Sequence, residues 1–254
     1  MCLHCAVGSP LVTMQIRILS WNIHKGIGGV DRAYRLERII ENIRDFSPDI
    51  CLLQEVADGW PGARKAHQVS ELCEALGMEH SAFGPEHRFK VGGYGNAILS
   101  RFPLHDVHHQ DLTIDWRKKR GALLARAVLR EENQQRTIVV SNLHLGLAGS
   151  ERGAQLERFL SCEPFRGVHQ TTPIIVAGDL NDLWGSLGPR YLEPAGFTRA
   201  GKRVNTFPAY MPLRPLDGIF VRGEGVEKSG AAGRGKFARV ASDHLPLIAD
   251  LKLP

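Results

Sequence analysis

The segment Pro173-Ile174-Ile175-Val176-Ala177-Gly178-Asp179-Leu180-Asn181 gives the clearest indication of how this chain folds. A short apolar run of this kind is typical of a strand that is covered on both faces. The run stops at Asp179, and Asp179 and Asn181 bracket a turn in which both residue types are common. The segment therefore predicts a buried strand whose end carries a carboxylate and an amide.

The same pattern, an apolar strand with polar side chains at one end, recurs at five other places. Alone, each polar residue has an ordinary explanation as a solvated strand end, a turn residue, a cap or a satisfied core histidine. Repeated six times, the pattern indicates that the polar ends converge on one edge of a layered fold. The five places are 18–22 ending in Asn22, 52–55 ending in Glu55, 139–144 ending in His144, 216–220 with Asp217, and Asp243-His244 before 245–248.

Strand-like and helix-like segments alternate along the rest of the chain. Helices are predicted over 32–46, with Asp31 as the N-cap, over 65–76, with Gly77 after the last turn, and over 151–162. The chain has about nine predicted strands and only three or four helices, and this proportion of strands is too high for one doubly wound sheet. We therefore expect an α/β fold of two stacked sheets with helices outside. The strands are predicted at 15–22, 49–56, 96–100, 121–130, 136–143, 173–178, 216–221 and 245–251, and long surface loops at 185–215.

Composition places the chain among ordinary globular proteins. Of its 254 residues, 43% are apolar and 23% are charged, which excludes disorder, collagen or coiled coil as a description of the whole chain. No apolar run approaches the roughly 18 residues of a membrane span. Because no linker or repeat interrupts the chain, we expect 14–254 to be a single catalytic domain after a loose leader at 1–13, which lacks the features of a signal peptide.

Cysteine usage favours the cytoplasm. The chain has five cysteines, an odd number, and their spacing does not indicate a disulfide framework, so we expect reduced thiols with Cys51 and Cys73 in the core. Cys2-Leu3-His4-Cys5 resembles half of a zinc site. Because no second pair of matching spacing follows it, zinc is not expected there.

The charge of the chain favours an anionic partner. Thirty-two Lys and Arg against 27 Asp and Glu give a net charge of +5, which fits nucleic acid or phospholipid headgroups. One compact cationic run lies at 117–120, and Arg234, Lys236 and Arg239 form a looser one. Solvated loops are the ordinary explanation of each run.

Clustered acids at one sheet edge predict a metal ion. If they share one site, the carboxylates of Glu55, Asp179, Asp217 and Asp243 repel one another, and a divalent cation relieves that repulsion. Carboxylate and amide oxygens favour Mg²⁺ or Mn²⁺ over Zn²⁺. His144 and His244 add groups that transfer protons, and an acid such as Asp217 beside His244 would fix its tautomer and raise its pKa.

The polar segments together resemble the motif series of the endonuclease/exonuclease/phosphatase superfamily. They run in that family's order over 15–251, and the resemblance implies a four-layer α-β-β-α sandwich and divalent-metal-dependent hydrolysis of phosphoesters. The segments are Trp21-Asn22-Ile23, Leu53-Gln54-Glu55, Gly95-Asn96-Ala97-Ile98-Leu99-Ser100-Arg101, Ser141-Asn142-Leu143-His144, Gly178-Asp179-Leu180-Asn181, Leu216-Asp217-Gly218-Ile219-Phe220 and Ser242-Asp243-His244.

The resemblance also implies roles for individual residues. Glu55 is the expected principal metal ligand, with Asn22 and Asp243 near the ion. The expected catalytic residues are Asp179 and Asn181, which position water and phosphate, His144, which contacts the scissile phosphate, and the pair of Asp217 with His244. Lys25, Asn96 and Arg101 are expected to bind substrate. Whether Asp179 or His244 is the general base, and whether one or two metal ions act, stays open.

The expected substrate is a phosphodiester, and nucleic acid is favoured. A nuclease-like reaction by in-line attack of water fits the basic residues Lys25, Arg199, Lys202 and Arg203, and aromatic loop residues could stack on bases. The alternative is a phospholipid or phosphoinositide phosphodiesterase or phosphatase. A scaffold without activity is a third hypothesis, but every expected polar position is filled. Oligomeric state is not predicted. The loop aromatics are Trp184, Tyr191, Phe207 and Tyr210.

Overall fold

Two six-stranded mixed sheets form the centre of the protein, as seen in a computed structural model that describes residues 13–131, 134–169 and 171–254. The expected leader, apart from Thr13, and the Cys2 and Cys5 pair lie outside these residues. In spatial order, the first sheet contains β11 (Glu227–Ala232), β12 (Leu247–Leu253), β1 (Met14–Asn22), β2 (Ile50–Asp58), β4 (Gly93–Ser100) and β3 (His80–Arg88). The second contains β5 (Leu104–Asp111), β6 (Gly121–Glu131), β7 (Gln134–His144), β8 (Ile174–Asp179), β10 (Asp217–Arg222) and β9 (Thr198–Arg199).

Helices cover the outer face of each sheet. Between the sheets lies an apolar layer that includes Ile18, Leu123 and Ile175. The helices α1 (Leu36–Phe46) and α2 (Gln68–Leu76) pack on the first sheet, and α3 (Gly149–Ser161) and α4 (Glu163–Arg166) pack on the second. The predicted four-layer α-β-β-α sandwich is confirmed. Within the described part of the chain, every helix is too short or too polar to cross a bilayer.

The strand directions bring the polar ends to one edge. In the first sheet β1 runs parallel to β2, and in the second β7 runs parallel to β8 with His144 beside Asp179. Carboxyl ends of parallel strands share an edge. Strand β10 is antiparallel to β8 and begins there, with Asp217 beside Asp179. Strand β12 is antiparallel to β1, so Asp243 and His244, which precede β12, reach the same edge.

Several element bounds differ from the predictions. Helix α1 begins at Leu36 after Arg35, not after Asp31, because the Asp31 carboxylate accepts hydrogen bonds from the Ala33 amide and from Arg38. Helix α2 begins at Gln68, and Gly77 ends it at φ +63°, as expected. Strands β3, β5 and β11 were not predicted. Each of the three is the outermost strand on one side of its sheet. Outermost strands carry polar side chains and lack a continuous apolar run.

Residues 185–215 are less superficial than predicted. Leu187, Leu192 and Phe197 are buried and belong to the core beneath α3. A π-helical turn spans Gly188–Leu192, and the ring of Phe197 stacks on Phe165 with centroids 5.9 Å apart. The prediction of surface loops was wrong for this half of the segment, because sparse apolar residues between glycines and prolines give no periodic signal.

Candidate active site

A cavity of about 560 Å³ opens at the edge where the polar strand ends meet. It receives residues from both sheets, so the site lies across the top of the sandwich. Most of the residues expected from the sequence line this cavity. They are Asn22, Glu55, His144, Asp179, Asn181, Asp243 and His244.

Asp217, His244 and Asp179 form a buried chain of charges. Nδ1 of His244 lies 2.9 Å from Oδ2 of Asp217, and Nε2 lies 3.7 Å from Oδ2 of Asp179. Burial lowers the pKa of His244, but the carboxylates of Asp217 and Asp179 outweigh burial and raise this pKa to about 10. The imidazole is therefore charged at neutral pH. The Thr206 hydroxyl holds Asp217, and the Trp21 indole N–H donates to the carbonyl of His244 at 2.7 Å.

Asp179 lies between two imidazoles. Its Oδ2 atom accepts a hydrogen bond from Nδ2 of Asn22 at 3.1 Å and is 3.7 Å from Nε2 of His144 as well as from Nε2 of His244. Its Oδ1 atom accepts from the Asn181 amide at 3.0 Å. Burial raises the pKa of Asp179 to about 6, although the charge of His244 and these hydrogen bonds act against burial. A carboxylate with such a pKa can both hold and release a proton near neutral pH.

Glu55 reaches the cavity because the β2 backbone bulges. The pairing of β2 with β4 shifts between Leu53 and Val56, and Glu55 adopts φ +53°. A left-handed glutamate costs on the order of 1 kcal/mol or more, and such strain is concentrated at functional sites. The Glu55 carboxylate pairs with the Lys25 ammonium, which lies 4.8 Å from the centre of the Tyr94 ring. Burial raises the pKa of Glu55, but the charges of Lys25, His24 and Lys118 bring it below its usual range.

The residues around Glu55 fit a hard divalent cation. The carboxylates of Glu55 and Asp243 and the side-chain amide of Asn22 line the cavity, and Oδ1 of Asn22 accepts a hydrogen bond from the His24 amide at 3.0 Å. Glu55 already stabilises a positive charge, that of Lys25. Oxygen donors of this kind suit Mg²⁺ or Mn²⁺. The donor types therefore fit the set Glu55, Asn22 and Asp243 that the family resemblance implies.

A second cluster of potential ligands consists of Asp179, Asp217 and His244, whose ligand atoms lie within 4.8 Å of one another. The hydrogen bonds within the cluster argue against a metal ion there, because Oδ2 of Asp217 is occupied by the His244 imidazole and by the Thr206 hydroxyl. We interpret this cluster as a proton-transfer chain.

Glu86 is a buried acid that the sequence did not reveal. Its Oε1 atom accepts hydrogen bonds from Nδ2 of Asn96 at 2.8 Å and from the Gly121 amide at 2.9 Å, and its Oε2 atom lies 3.6 Å from Nδ1 of His144. Burial raises the pKa of Glu86 to about 8, against the charge of Arg120. Burial also lowers the pKa of His144 well below its usual range, so His144 is neutral. Glu86 lies on β3, whose glycine, proline and polar residues interrupt the apolar pattern, so the sequence did not predict this strand.

This arrangement corrects the expectation for Asn96. Asn96 is fully buried and donates to Glu86 and to the Gly121 carbonyl. It therefore supports the acid behind His144 and does not line the cavity. The cationic run at 117–120 also differs in part from the expectation of a solvated loop. Arg120 is buried, with Nη1 4.0 Å from Glu86, and it lines the cavity together with the exposed Lys118.

Arg101 lies outside the site. Strand β4 runs antiparallel to β2 and ends at the opposite edge of the sheet, where the Arg101 guanidinium pairs with Asp49 at 3.1 Å. The Arg101 side chain is 62% exposed. The structure therefore does not bring Arg101 to the cavity with the other candidates. The strand β4 approaches the site only at its start, and Arg101 follows its far end.

Arg101→Ala is expected to leave both catalysis and folding almost unchanged. An exposed ion pair contributes about 1 kcal/mol at most, and Arg101 is not among the described residues that line the cavity. Turnover of a soluble phosphodiester and the urea midpoint of unfolding measure the two effects. A tenfold loss of kcat in this variant would contradict the placement of Arg101.

The other basic and aromatic candidates divide into two groups. Trp184 and Phe207 line the cavity, and the ring of Phe207 lies 5.0 Å from that of His244. Lys25 reaches the site through its ion pair with Glu55. The remainder serve the fold or the surface. Arg199 covers the Phe220 ring, Arg203 donates to backbone carbonyls at 182 and 183, Tyr191 is half-buried against α3, and Lys202 and Tyr210 are exposed.

Comparison with known proteins agrees with the geometry. The model of the endonuclease/exonuclease/phosphatase family matches residues 19–244, a range that contains every residue of the cavity wall described above. The chain belongs to this family. The resemblance inferred from the motifs is thereby confirmed, and members of the family hydrolyse phosphoesters and generally use divalent metal ions.

One relative supports the assignment, and two solved structures have the same fold. The uncharacterized protein YbhP of Escherichia coli K12 is 32% identical over 252 residues, which cover 93% of this chain and 96% of YbhP. A family member from Beutenbergia cavernae has a TM-score of 0.78 at 23% identity, covering 94% of this chain and 72% of that one. A mannosyl-6-phosphatase from Bacteroides thetaiotaomicron has a TM-score of 0.72 at 17% identity, covering 93% and 99%. The two structures share the fold with this chain.

Proposed function

We propose that the protein is a divalent-metal-dependent phosphodiesterase that uses in-line attack of water. The observation that carries this proposal is the position of Asp179, whose Oδ2 atom lies 3.7 Å from Nε2 of both His144 and His244 in the cavity that also contains Glu55. One carboxylate between two imidazoles beside an oxygen-rich wall can position water against a phosphate.

Glu55, Asn22 and Asp243 would hold the ion. When bound, it supplies Lewis-acid chemistry, since it neutralises charge on the phosphate oxygens and on the leaving oxygen. The Lys25 ammonium beside Glu55 and the Arg120 guanidinium add positive charge to the same cavity. They would hold the anionic substrate before reaction.

The distances and the directions of the pKa shifts support one assignment of the proton transfers. With a pKa raised to about 10, His244 is protonated at neutral pH and cannot act as the base, whereas Asp179, with a pKa of about 6, can. Asp179 takes a proton from water while the water oxygen bonds to phosphorus and the opposite ester P–O bond breaks. His244 donates a hydrogen bond to a non-bridging oxygen, and the leaving oxygen takes a proton from solvent. The neutral His144 and the side-chain amide of Asn181 would contact the remaining oxygens.

Two classes of substrate suit this chemistry. A nuclease-like reaction is supported by the net charge of +5 and by the exposed Trp184 at the cavity, which can stack on a base. A phospholipid phosphodiesterase is the second candidate. The exposed aliphatic side chains of Leu147, Met211 and Leu213 favour the phospholipid phosphodiesterase, since aliphatic groups cannot stack on bases.

The soluble diester bis(p-nitrophenyl) phosphate tests the reaction independently of the natural substrate. Hydrolysis is expected to require added Mg²⁺ or Mn²⁺, to stop when the protein is treated with EDTA, and to return when either ion is restored. The monoester p-nitrophenyl phosphate is the control for preference between ester types. Turnover that persists in EDTA, or no turnover of the diester with either ion, would overturn the proposal.

A further inference from the structure

Exposed apolar side chains are concentrated around the cavity. Ten large hydrophobic side chains are exposed among the described residues, and only Val107, in the middle of β5, lies away from the loops at this edge. The most exposed are Trp116 at 93%, Trp184 at 79% and Leu147 at 76%. Contiguous exposed apolar surface is uncommon on monomeric proteins and marks interaction sites.

One side of the cavity mouth is formed by three loops that approach one another. Leu147 and Trp184 both line the cavity. Trp116 belongs to the loop between β5 and β6, and this loop is joined to the start of α3 by Arg117, whose Nη1 atom lies 3.6 Å from Oε2 of Glu151. Leu147 lies two residues before α3, so the loop that carries Trp116 adjoins the loop of Leu147 at this side of the cavity.

A hairpin tip extends the apolar surface past His244. The backbones of Phe207 and Arg214 pair, and the intervening residues Tyr210, Met211 and Leu213 are all more than half exposed. The hairpin is fixed at the site, because the Ala209 amide donates to the Asp243 carbonyl at 2.7 Å. We call Trp116, Leu147, Trp184, Tyr210, Met211 and Leu213 together the apolar rim.

Basic side chains accompany the apolar rim. Arg117 and Lys119 follow Trp116 in the same loop. Arg203 donates a hydrogen bond to the Leu183 carbonyl, beside Trp184. Arg214 follows Leu213 and lines the cavity. All four are exposed. Exposed Trp, Tyr and aliphatic side chains beside cations are the composition of surfaces that enter the headgroup region of an anionic bilayer.

We propose that the apolar rim docks this protein on membranes that contain anionic phospholipids, so that the cavity opens onto headgroup phosphates. The aliphatic members decide between a bilayer and a nucleic acid. Leu147, Met211 and Leu213 have no π-face for base stacking, whereas transfer into the acyl boundary removes their apolar surface from water. The assignment of phospholipid as substrate rests on the proposed function, but docking itself does not.

Vesicle binding in EDTA tests docking without catalysis. The full chain is expected to sediment with vesicles of phosphatidylcholine and phosphatidylglycerol, and more weakly with phosphatidylcholine alone. Brominated phospholipids are expected to quench its tryptophan emission, because Trp116 and Trp184 would enter the bilayer. The triple substitution Trp116→Ser, Met211→Ser and Leu213→Ser is expected to lower partitioning by about 10- to 100-fold. Val107→Ser, which removes an exposed apolar side chain elsewhere, is expected to leave it unchanged.

Each alternative outcome has a defined meaning. Equal partitioning of the triple variant and the wild type, or no sedimentation of the wild type with the anionic vesicles, would overturn docking. Loss of single-stranded oligonucleotide binding in the triple variant, without vesicle binding by the wild type, would assign the rim to nucleic acid and overturn it also. Turnover of the soluble diester reports on the proposed function separately, so vesicle binding without diester turnover would retain docking and reject the hydrolase.

Discussion

His244→Gln is expected to lower kcat for the soluble diester by about 10³- to 10⁴-fold. Removal of one donor to a developing anion costs about 10²–10³-fold. The substitution also removes the charge between Asp179 and Asp217, which then face each other as buried acids. Their repulsion raises the pKa of Asp179 further and withdraws the proposed base at neutral pH. Steady-state kinetics with saturating Mn²⁺ measure the effect.

Thr206→Val is the matched control for this prediction. The Thr206 hydroxyl contacts Asp217 but does not line the cavity. We therefore expect a loss of about tenfold or less, through weaker positioning of the Asp217–His244 pair. If His244→Gln retained more than a tenth of wild-type kcat while folded by circular dichroism, the proposed role of His244 would be wrong.

Glu55→Gln is expected to lower kcat by at least about 10²- to 10³-fold and to raise the metal concentration needed for half-maximal rate. The amide keeps the shape of the side chain but removes the charge that the ion and Lys25 share. A metal titration separates the two effects, and partial rescue by high Mn²⁺ would distinguish weakened binding from misfolding.

Asp58→Asn provides the control for Glu55→Gln. Asp58 ends the same strand, but its carboxylate is exposed and pairs with His67 outside the cavity. We expect wild-type metal dependence in this variant. An unaltered metal requirement in Glu55→Gln would exclude Glu55 as a ligand and would move the ion to another part of the cavity.

The convergence of the polar strand ends was predictable from the sequence for a physical reason. A buried strand needs a continuous apolar run, so the residue where that run stops is visible in the sequence. Parallel pairing of β1 with β2 and of β7 with β8 then places Asn22, Glu55, His144 and Asp179 at one edge. Burial, distances and register could not be read in the same way, because they depend on contacts between residues far apart in the chain.

The residues that the sequence misassigned show where this reasoning stops. Glu86 acts behind His144 from an edge strand with no apolar run, and only the pairing of β3 with β4 brings Asn96 to it. Arg101 follows Asn96 by five positions, yet the direction of β4 carries it to the far edge. Strand pairing therefore explains the error at Asn96 and strand direction the error at Arg101, and both are long-range properties.

The sequence did not predict that the residues of the apolar rim are exposed. Trp184, Tyr210 and Tyr191 are all loop aromatics in the sequence, but Trp184 and Tyr210 are exposed, whereas Tyr191 is half-buried against α3. Leu147, Met211 and Leu213 resemble core residues until the fold shows them facing solvent. A sequence pattern records hydrophobicity and not accessibility, so patches of this kind need coordinates.

A crystal of the protein soaked in Mn²⁺ and measured at the manganese absorption edge would test the central claim most directly. The account predicts one anomalous peak in the cavity within bonding distance of a Glu55 oxygen, with Asn22 or Asp243 beside it. A peak bound instead by Asp179, Asp217 and His244, or no peak in the cavity, would contradict it.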